Sequence, residues 1–256
     1  MQKRIFIKLF TFNQYTSWYV WLWAMGTRYK VVLLDMDGTF LDSRGAGEIP
    51  NEWAYEALKK TLQHYGITLT IDEINKLFLA PLHARGEEGV LSFCKRFGLD
   101  CEKFWSRREK DVIEAKIEAI RKGVIKLCKD SEEIICYLSN RFYLAVVSDS
   151  QQACVDYVLE HFDLKPYFAI WYGRRSELKS LANRKPNPFY INKVLSELNA
   201  QREEAILVDD SPVGVLAAQR AGIDSVLICS NDEKLLKCEQ KPTFFIRNLN
   251  ELKMVL

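Results

Sequence analysis

Short apolar runs alternate with amphipathic helical patterns from residue 29 onward, and this alternation constrains the fold more than any other feature of the sequence. Residues 31–34 (VVLL) form an unbroken run rich in β-branched side chains, as expected of a strand buried on both faces. Similar runs lie at 144–147, 168–171, 205–208, 225–228 and 244–246, and helical patterns lie at 153–161, 188–198 and 213–221. Strands that alternate with helices predict an α/β fold, a doubly wound, Rossmann-like parallel sheet with helices on both faces.

Residues 48–140 interrupt this alternation with helical patterns only. Apolar residues recur there at helical spacing in 52–65, 71–79, 87–97 and 102–121, and a last helical pattern at 131–138 is assigned to the α/β core. We therefore predict a helical cap, residues 48–123, inserted into a core formed by residues 25–47 and 124–256. The glycines of 45–47 and of 122–123 are the expected hinges.

The composition is that of a soluble globular protein. The 256 residues are 48% hydrophobic and 27% charged, which excludes a disordered, collagenous or polytopic membrane chain. A net charge of +2 gives no electrostatic footprint for nucleic acid. The seven cysteines are scattered without a CxxC pair, so we expect free thiols in a reducing cytoplasm rather than disulfides or a zinc site. We keep both a monomer and a homodimer as hypotheses for the oligomeric state.

The N-terminal residues 1–24 differ from the rest of the chain. They hold eight aromatic residues and three basic residues but no acidic one. Polar residues interrupt the uncharged stretch 9–27, which argues against a membrane-spanning helix, and no small-residue cleavage site follows it. Three hypotheses remain: a dispensable extension from a start codon assigned too early, an aromatic surface that docks on the domain or a partner, and association with a membrane.

Polar residues follow four of the predicted core elements, at the sheet edge where parallel strands place their ligands. Three or four carboxylates, one lysine and one or two hydroxyls would meet there. Close carboxylates need a cation to stay charged, and Mg²⁺ combined with a substrate phosphate meets that need. The lysine and the hydroxyls would hold phosphate oxygens, and one carboxylate could attack phosphorus. The motifs are Asp35-Met36-Asp37-Gly38-Thr39, Ser148-Asp149-Ser150, Lys185-Pro186-Asn187-Pro188 and Asp209-Asp210-Ser211-Pro212.

These four motifs, in this order, resemble those of the haloacid dehalogenase superfamily of phosphatases and phosphomutases. The DxDGT motif, the hydroxyl residue ending the second strand, the KPxP lysine and the acidic pair followed by Ser are all present. The resemblance extends from about residue 29 to the C-terminus. The long gap between the first and second motifs resembles the subgroup with a helical cap, which includes phosphoglycolate phosphatase and β-phosphoglucomutase.

The resemblance implies a role for each matching residue. Asp35 would be the nucleophile that forms an aspartyl-phosphate, and Asp37 would be the general acid and base. Mg²⁺ would be held by Asp35, the backbone carbonyl of Asp37 and Asp210, with Asp209 as a further candidate because relatives carry Gly or Glu at its position. The phosphoryl group would be bound by Ser148 and Lys185 and positioned by Thr39. Asp149 stands where asparagine is common in this subgroup.

The cap segment 79–89 is expected to form a loop between two helices that reaches the site, as in capped relatives. An arginine in such a loop could grip a second anionic group, so Arg85 and His83 are candidate substrate residues. Solvated loop residues are the alternative. We expect His64 and His161 to be structural. We expect a solvated loop to carry the basic residues before the KPxP motif, with contact between one of them and an incoming anionic substrate as the alternative. These residues are Arg174, Arg175, Lys179 and Arg184.

The resemblance therefore implies a Mg²⁺-dependent phosphatase that acts on a small phosphorylated metabolite, such as a sugar phosphate or phosphoglycolate. A phosphomutase of the β-phosphoglucomutase type uses the same motifs and is the alternative. A non-catalytic, phospho-accepting module is a third hypothesis, because receiver domains also combine an acidic pair, a hydroxyl and a lysine. Those domains lack the large helical insert and the DxDGT order.

Overall fold

The structure is a computed structural model that describes residues 28–45, 48–229 and 241–256. The N-terminal segment 1–24 and its three hypotheses lie outside these residues, as do part of the expected first hinge and Cys238. None of the helices in the described ranges is long and apolar enough to cross a membrane.

The elements follow one another in two groups, a helical insert and an α/β core. The first strands in the described residues are β1 (Val31–Leu34) and β2 (Leu41–Asp42). The insert comprises α1 (Glu52–His64), α2 (Ile71–Ile74), a π-helical turn (Asn75–Leu79), α3 (Ala80–Arg85), α4 (Glu87–Phe97) and α5 (Cys101–Arg121). The core continues with β3 (Lys126–Leu127), α6 (Ser131–Ser139), β4 (Tyr143–Gln151), α7 (Gln152–His161), β5 (Ile170–Arg174), α8 (Phe189–Glu197), β6 (Ala205–Asp209), α9 (Pro212–Ala221), β7 (Asp224–Ile228), β8 (Phe244–Ile246) and α10 (Leu252–Val255).

The core sheet confirms the predicted doubly wound architecture. Within the described residues it has six strands in the order β5-β4-β1-β6-β7-β8, all paired in parallel. Side chains alternate across β1: Val32 and Leu34 pack in one apolar cluster with α6 and α7, whereas Val31 and Leu33 pack in another with α8 and α9. Burial on both faces explains the unbroken apolar run.

The helical insert has an apolar cluster of its own. Aromatic rings dominate it: Phe78 and Phe93 lie 5.1 Å apart between ring centroids, and Phe104 lies 5.7 Å from Phe78. Helix α1 packs along α5. Leu178 and Leu181, from the core segment after β5, join the same cluster. The insert is therefore packed against the core as well as within itself.

Three local expectations were wrong. The segment 79–89 is not a loop, because the helical backbone continues through the π-helical turn into α3, which carries His83 and Arg85. The strand predicted at 168–171 is β5 in the structure and spans Ile170–Arg174. A two-stranded antiparallel ribbon, β2 with β3, joins the insert to the core, and its strand β3 lies in the region 48–140 where only helices were expected. Its two-residue strands are too short to leave a pattern in the sequence.

Candidate active site

The residues of the four motifs meet at the carboxyl ends of β1, β4 and β6, whereas the predicted substrate residues His83 and Arg85 lie on α3. The central strand β1 is paired with β4 on one side and with β6 on the other, so the chain winds in both directions from it. Ligands bind at such a switch point in doubly wound sheets. The four sequence motifs therefore converge on one edge of the sheet.

The turn after β1 presents Asp35 and Asp37 to this edge. The Met36 carbonyl accepts hydrogen bonds from the backbone N–H groups of residues 39–41, which closes a tight turn. Gly38 has a φ of +87°, and a Cβ there would lie 2.6 Å from Oδ2 of Asp210. Only glycine suits both the left-handed backbone and the contact with Asp210. Thr39, which is buried, lies with its Oγ1 3.5 Å from Oδ2 of Asp35.

Lys185 joins the first and fourth motifs. Its Nζ donates hydrogen bonds to Oδ1 of Asp35 at 2.5 Å and to Oδ2 of Asp209 at 2.7 Å. Burial lowers the pKa of Lys185, but the charges of Asp209 and Asp35 outweigh it, so the net pKa lies above its ordinary value. Lys185 is therefore a permanent cation between two buried carboxylates.

Three carboxylates form a candidate metal centre. Asp35, Asp209 and Asp210 each offer an oxygen, and these oxygens lie within 4.8 Å of one another. Burial raises the pKa of Asp35 well above its ordinary value; Asp209 and Asp37 add to this, while Lys185 opposes it. A divalent cation in this cluster would offset the repulsion among the carboxylates.

Asp209 is held in place by its own turn. Its Oδ1 accepts hydrogen bonds from the backbone N–H and the hydroxyl of Ser211, at 2.9 and 2.7 Å. The Ser211 hydroxyl also accepts from the N–H of Gly214 and so caps α9. A Cβ at Gly214 would lie 2.0 Å from Cγ of Asp209, which shows how closely the helix approaches the carboxylate.

Asp37 contacts Lys116, which the sequence analysis missed, and Ser150, which it named as part of the second motif without assigning it to Asp37. Lys116, on α5, donates from Nζ to Oδ1 of Asp37 at 2.6 Å, and the hydroxyl of Ser150 donates to Oδ2 at 2.6 Å. Lys116 also donates to Ser150 at 2.8 Å, which closes a triangle. Burial raises the pKa of Asp37, but Lys116, Ser150 and Ser43 together outweigh it and leave the pKa below its ordinary value. The carboxylate form of Asp37 is therefore favoured.

A weak sequence signal marks Lys116. It lies at helical spacing from Val112 and Ile120, both buried, so it occupies the inward face of α5. Only 2% of its side chain is exposed. A lysine on a buried helix face needs a partner of opposite charge. A carboxylate on the core side of the boundary between insert and core is therefore the expected partner.

The second motif lies beside these groups. Ser148 is buried, and its hydroxyl accepts a hydrogen bond from the backbone N–H of Ser150 at 3.1 Å. Asp149 turns toward the third motif, where its Oδ1 accepts from the N–H of Lys185 at 3.1 Å and its Oδ2 lies 3.7 Å from Nε of Arg184. The extra charge of Asp149 is thus balanced by Arg184.

The basic residues outside the motifs occupy different environments. Arg85 pairs with Glu88 on the surface of the insert, with its Nη1 3.3 Å from Oε1, while Nδ1 of His83 lies 3.4 Å from Nη2 of Arg184. The expectation of a solvated Arg174 was wrong. Arg174 ends β5 and is buried. Its charge is tolerated there because its Nη2 donates to Oε2 of the buried Glu109 at 2.7 Å.

Comparison with known proteins agrees with this geometry. The family model described as haloacid dehalogenase-like hydrolase matches residues 32–228. A protein of Caldanaerobacter subterraneus provisionally named pyrophosphatase PpaX is 27% identical over 90% of this chain and 95% of its own length. A phosphoglycolate phosphatase of Aquifex aeolicus is 28% identical over 77% of this chain and 84% of its own length.

The fold is also that of solved structures. The magnesium-bound structure of the hydrolase YfnB from Bacillus subtilis matches with a TM-score of 0.62 and 21% identity, over 90% of this chain and 99% of that one. At this identity the match concerns the fold alone. The family match covers more than half of the chain and confirms the resemblance carried by the four motifs. The chain therefore belongs to the haloacid dehalogenase-like hydrolases.

Proposed function

We propose that this hydrolase is a Mg²⁺-dependent phosphatase that releases phosphate from a small phosphomonoester through an aspartyl-phosphate on Asp35. The observation that carries the proposal is the convergence of Asp35, Asp37, Lys185 and the Asp209–Asp210 pair on one edge of the sheet. The names of the pyrophosphatase and phosphoglycolate phosphatase relatives support a small phosphorylated substrate. A cytoplasmic location stays a prediction, as does a monomeric or homodimeric state.

In the first half of the proposed reaction, a carboxylate oxygen of Asp35 attacks phosphorus and the ester P–O bond breaks. The leaving oxygen takes a proton from Asp37. Lys185 balances the charge of the phosphoryl oxygens, and we assign the hydrogen bonds to those oxygens to the hydroxyls of Ser148 and Thr39. Since Lys185 already contacts Asp35, it positions the nucleophile before substrate arrives.

In the second half, a water molecule attacks the aspartyl-phosphate. Asp37 takes a proton from that water, and the water oxygen bonds to phosphorus. The bond between phosphorus and the carboxylate oxygen of Asp35 breaks, and inorganic phosphate is released. The lowered pKa of Asp37 suits this step, because the carboxylate is the form that accepts a proton. We assign Lys116 and Ser150 the task of holding that carboxylate in position, since both donate to it at 2.6 Å.

The donor set fits Mg²⁺. Asp35, Asp209 and Asp210 supply hard carboxylate oxygens within 4.8 Å of one another, and Mg²⁺ prefers such ligands together with water and substrate phosphate. Asp35, Asp210 and the backbone carbonyl of Asp37 are the assigned ligands, and Asp209 is the weaker candidate because Lys185 and Ser211 already bind its carboxylate. Bound there, the ion would neutralise charge that develops on the transferring phosphoryl group.

We assign the helical insert, within the predicted boundaries 48–123, the role of a cap over this edge. Lys116 crosses from α5 to Asp37, so the insert contributes a side chain to the site as well as covering it. The closure of such a cap would complete the hydrogen bonds on Asp37 and exclude water from the first half-reaction.

Phosphate release from a panel of small phosphomonoesters tests the proposal. We expect release that needs Mg²⁺, stops with a chelator and is lost in Asp35→Asn. The matched control is Asp72→Asn, an exposed aspartate on α2, which should keep full activity. Release that continues in Asp35→Asn would refute the mechanism, and isomerisation of a sugar phosphate without net release would indicate a mutase instead.

A further inference from the structure

A cluster of arginines lies where the insert meets the core, next to the proposed phosphate site. Arg108 comes from α5, Arg174 from the end of β5 and Arg184 from the residue before Lys185. Their neighbour from α3 is His83, whose Nδ1 lies 3.4 Å from Nη2 of Arg184. Arg108 and Arg174 share Glu109, and Arg184 contacts His83. The charge of Arg184 also acts on Arg108, which links the two pairs into one cluster.

Arg108 has hydrogen-bonding capacity that its protein neighbours leave unused. Its Nη1 donates to Oε1 of Glu109 at 2.5 Å, and its guanidinium lies 5.2 Å from the ring centroid of Trp105. Its Nε is buried and has no hydrogen-bond partner among the residues that the structure describes. A buried N–H group of a charged side chain is costly to leave unpaired, so an acceptor is expected there.

Positive charge exceeds negative charge in this cluster. In the part of the chain that the structure describes, the carboxylates paired with it are Glu109, which binds both Arg108 and Arg174, and Asp149, which lies 3.7 Å from Arg184. With His83 neutral, three guanidinium groups thus face two carboxylates.

The lowered pKa values of Arg108 and His83 agree with this excess of positive charge. Burial lowers the pKa of Arg108; Glu109 opposes it, but Arg174 and Arg184 add to it. Partial desolvation of its ring, together with Arg184 and Arg108, likewise lowers the pKa of His83. One more negative group in the cluster would relieve the repulsion among these cations.

Glu109 and Arg174 already satisfy each other, which leaves Arg108, Arg184 and His83 to meet a ligand. Glu109 also accepts from Gln151, and Arg174 donates to the Arg175 carbonyl at 2.8 Å. By contrast, the guanidinium of Arg184 is held only loosely, with its Nε 3.7 Å from Asp149. A fifth of the Arg184 side chain is exposed, and His83 is exposed as well, so the cluster is accessible from solvent.

The cluster borders the phosphate site at two places. Arg184 directly precedes Lys185, whose Nζ binds Asp35, and Asp149 directly follows Ser148. The N–H of Lys185 also donates to Asp149, which ties the two borders together. The cluster therefore adjoins the proposed phosphate site through chain neighbours at both borders.

We propose that Arg108, Arg184 and His83 form an anion subsite that selects phosphomonoesters carrying a second anionic group, a carboxylate or a further phosphate. The inference rests on the proposed phosphatase function, which it extends from reaction to substrate class. Arginine suits this task because its planar fork of N–H groups matches the oxygens of a carboxylate or a phosphate. Arg108 would supply its unpaired Nε and Arg184 its loosely held N–H groups.

Binding of two inert phosphonates separates the subsite from catalysis. Phosphonoacetate carries a second anionic group and ethylphosphonate does not, and neither has a P–O ester bond to hydrolyse. Titration calorimetry with Mg²⁺ should show phosphonoacetate binding at least about tenfold tighter to the wild-type protein, as expected for a bidentate charge-assisted contact. Arg184→Gln and Arg108→Gln should each reduce this preference to less than about threefold and leave ethylphosphonate affinity unchanged.

Arg96→Gln is the matched control, because Arg96 is an exposed arginine of the insert at the end of α4, and it should keep the full preference. Thermal melting checks that Arg108→Gln folds, and the less buried Arg184→Gln keeps the test decisive if it does not. Equal affinity of the wild type for both phosphonates, no binding of either, or a preference that survives both substitutions would overturn the subsite.

Hydrolysis of phosphoglycolate and ethyl phosphate then tests the two proposals separately. We expect kcat/KM to favour phosphoglycolate at least about tenfold in the wild type, and Arg184→Gln to remove the preference. A phosphonoacetate preference without hydrolysis of either ester would refute the phosphatase and keep the subsite. Equal hydrolysis of both esters would keep the phosphatase and overturn the subsite.

Discussion

Replacement of Lys116 by methionine tests whether the helical insert contributes directly to the reaction. Methionine keeps most of the length of the side chain but removes the charge and both hydrogen bonds, to Asp37 and to Ser150. Asp37 would keep its contact with Ser150 and lose the partner that holds its other oxygen. The substitution therefore loosens the proposed acid and base without touching the nucleophile.

The magnitude follows from the hydrogen bond that is lost. A hydrogen bond to a charged group contributes about 1.5–3 kcal/mol, which corresponds to a rate factor of about 10 to 150. That factor should affect only the steps in which Asp37 transfers a proton. An aryl phosphate has a leaving group that departs without a proton, whereas an alkyl phosphate needs one.

The kinetic assay compares an aryl phosphate with an alkyl phosphate in Lys116→Met. For the alkyl phosphate, kcat/KM should fall by about 10- to 150-fold. For the aryl phosphate, kcat/KM should change by less than about threefold, while kcat falls because hydrolysis of the aspartyl-phosphate still needs Asp37. KM for the aryl phosphate should fall in parallel with kcat, and a burst of the released phenol should precede the slow turnover.

Lys122→Met is the control for this experiment, because Lys122 directly follows α5 and pairs only on the surface, with its Nζ 3.3 Å from Oε1 of Glu118. It should leave both substrates unaffected. An equal loss for both substrates in Lys116→Met would show a general disturbance of the site. No loss for either would refute the assignment of Lys116 as a positioning residue.

Three other substitutions test the packing around the site and the core. Gly214→Ala should raise the Mg²⁺ concentration for half-maximal activity and lower kcat/KM at least about tenfold, because its Cβ would lie 2.0 Å from Cγ of Asp209. Arg174→Met should lower the free energy of unfolding by about 3 kcal/mol, measured in urea, because the buried Glu109 loses a partner. Asp224→Asn should cost about 1–2 kcal/mol at pH 7, since Arg28, Tyr29 and Thr243 donate to that carboxylate. These donors outweigh burial and lower the pKa of Asp224, so the difference between wild type and Asp224→Asn should shrink as the pH falls through the lowered pKa; a difference that is constant with pH would contradict this.

The residues that follow the strands were predictable from the sequence because they depend on local order along the chain. An apolar run that ends in Asp35-Met36-Asp37-Gly38-Thr39 contains both the strand and the turn that follows it. In a parallel sheet all strands end at the same edge, so Ser148 and the Asp209–Asp210 pair had to lie at the edge that holds Asp35. The pairing of β4 and β6 with β1, which the sequence did not predict, makes them neighbours.

Only the tertiary structure decided which face of each helix packs toward the core. Lys116 and Arg108 lie on one helix, and nothing in their spacing reveals that one contacts Asp37 while the other joins Arg174 and Arg184. The π-helical turn before α3 likewise moved His83 and Arg85 from an expected loop onto a helix. Strand ends are placed by connectivity, whereas a helix can rotate about its axis until packing selects one face. The sequence by itself therefore determined the sheet and the residues at its edge, and the packing of the insert against the core decided which basic side chains meet them.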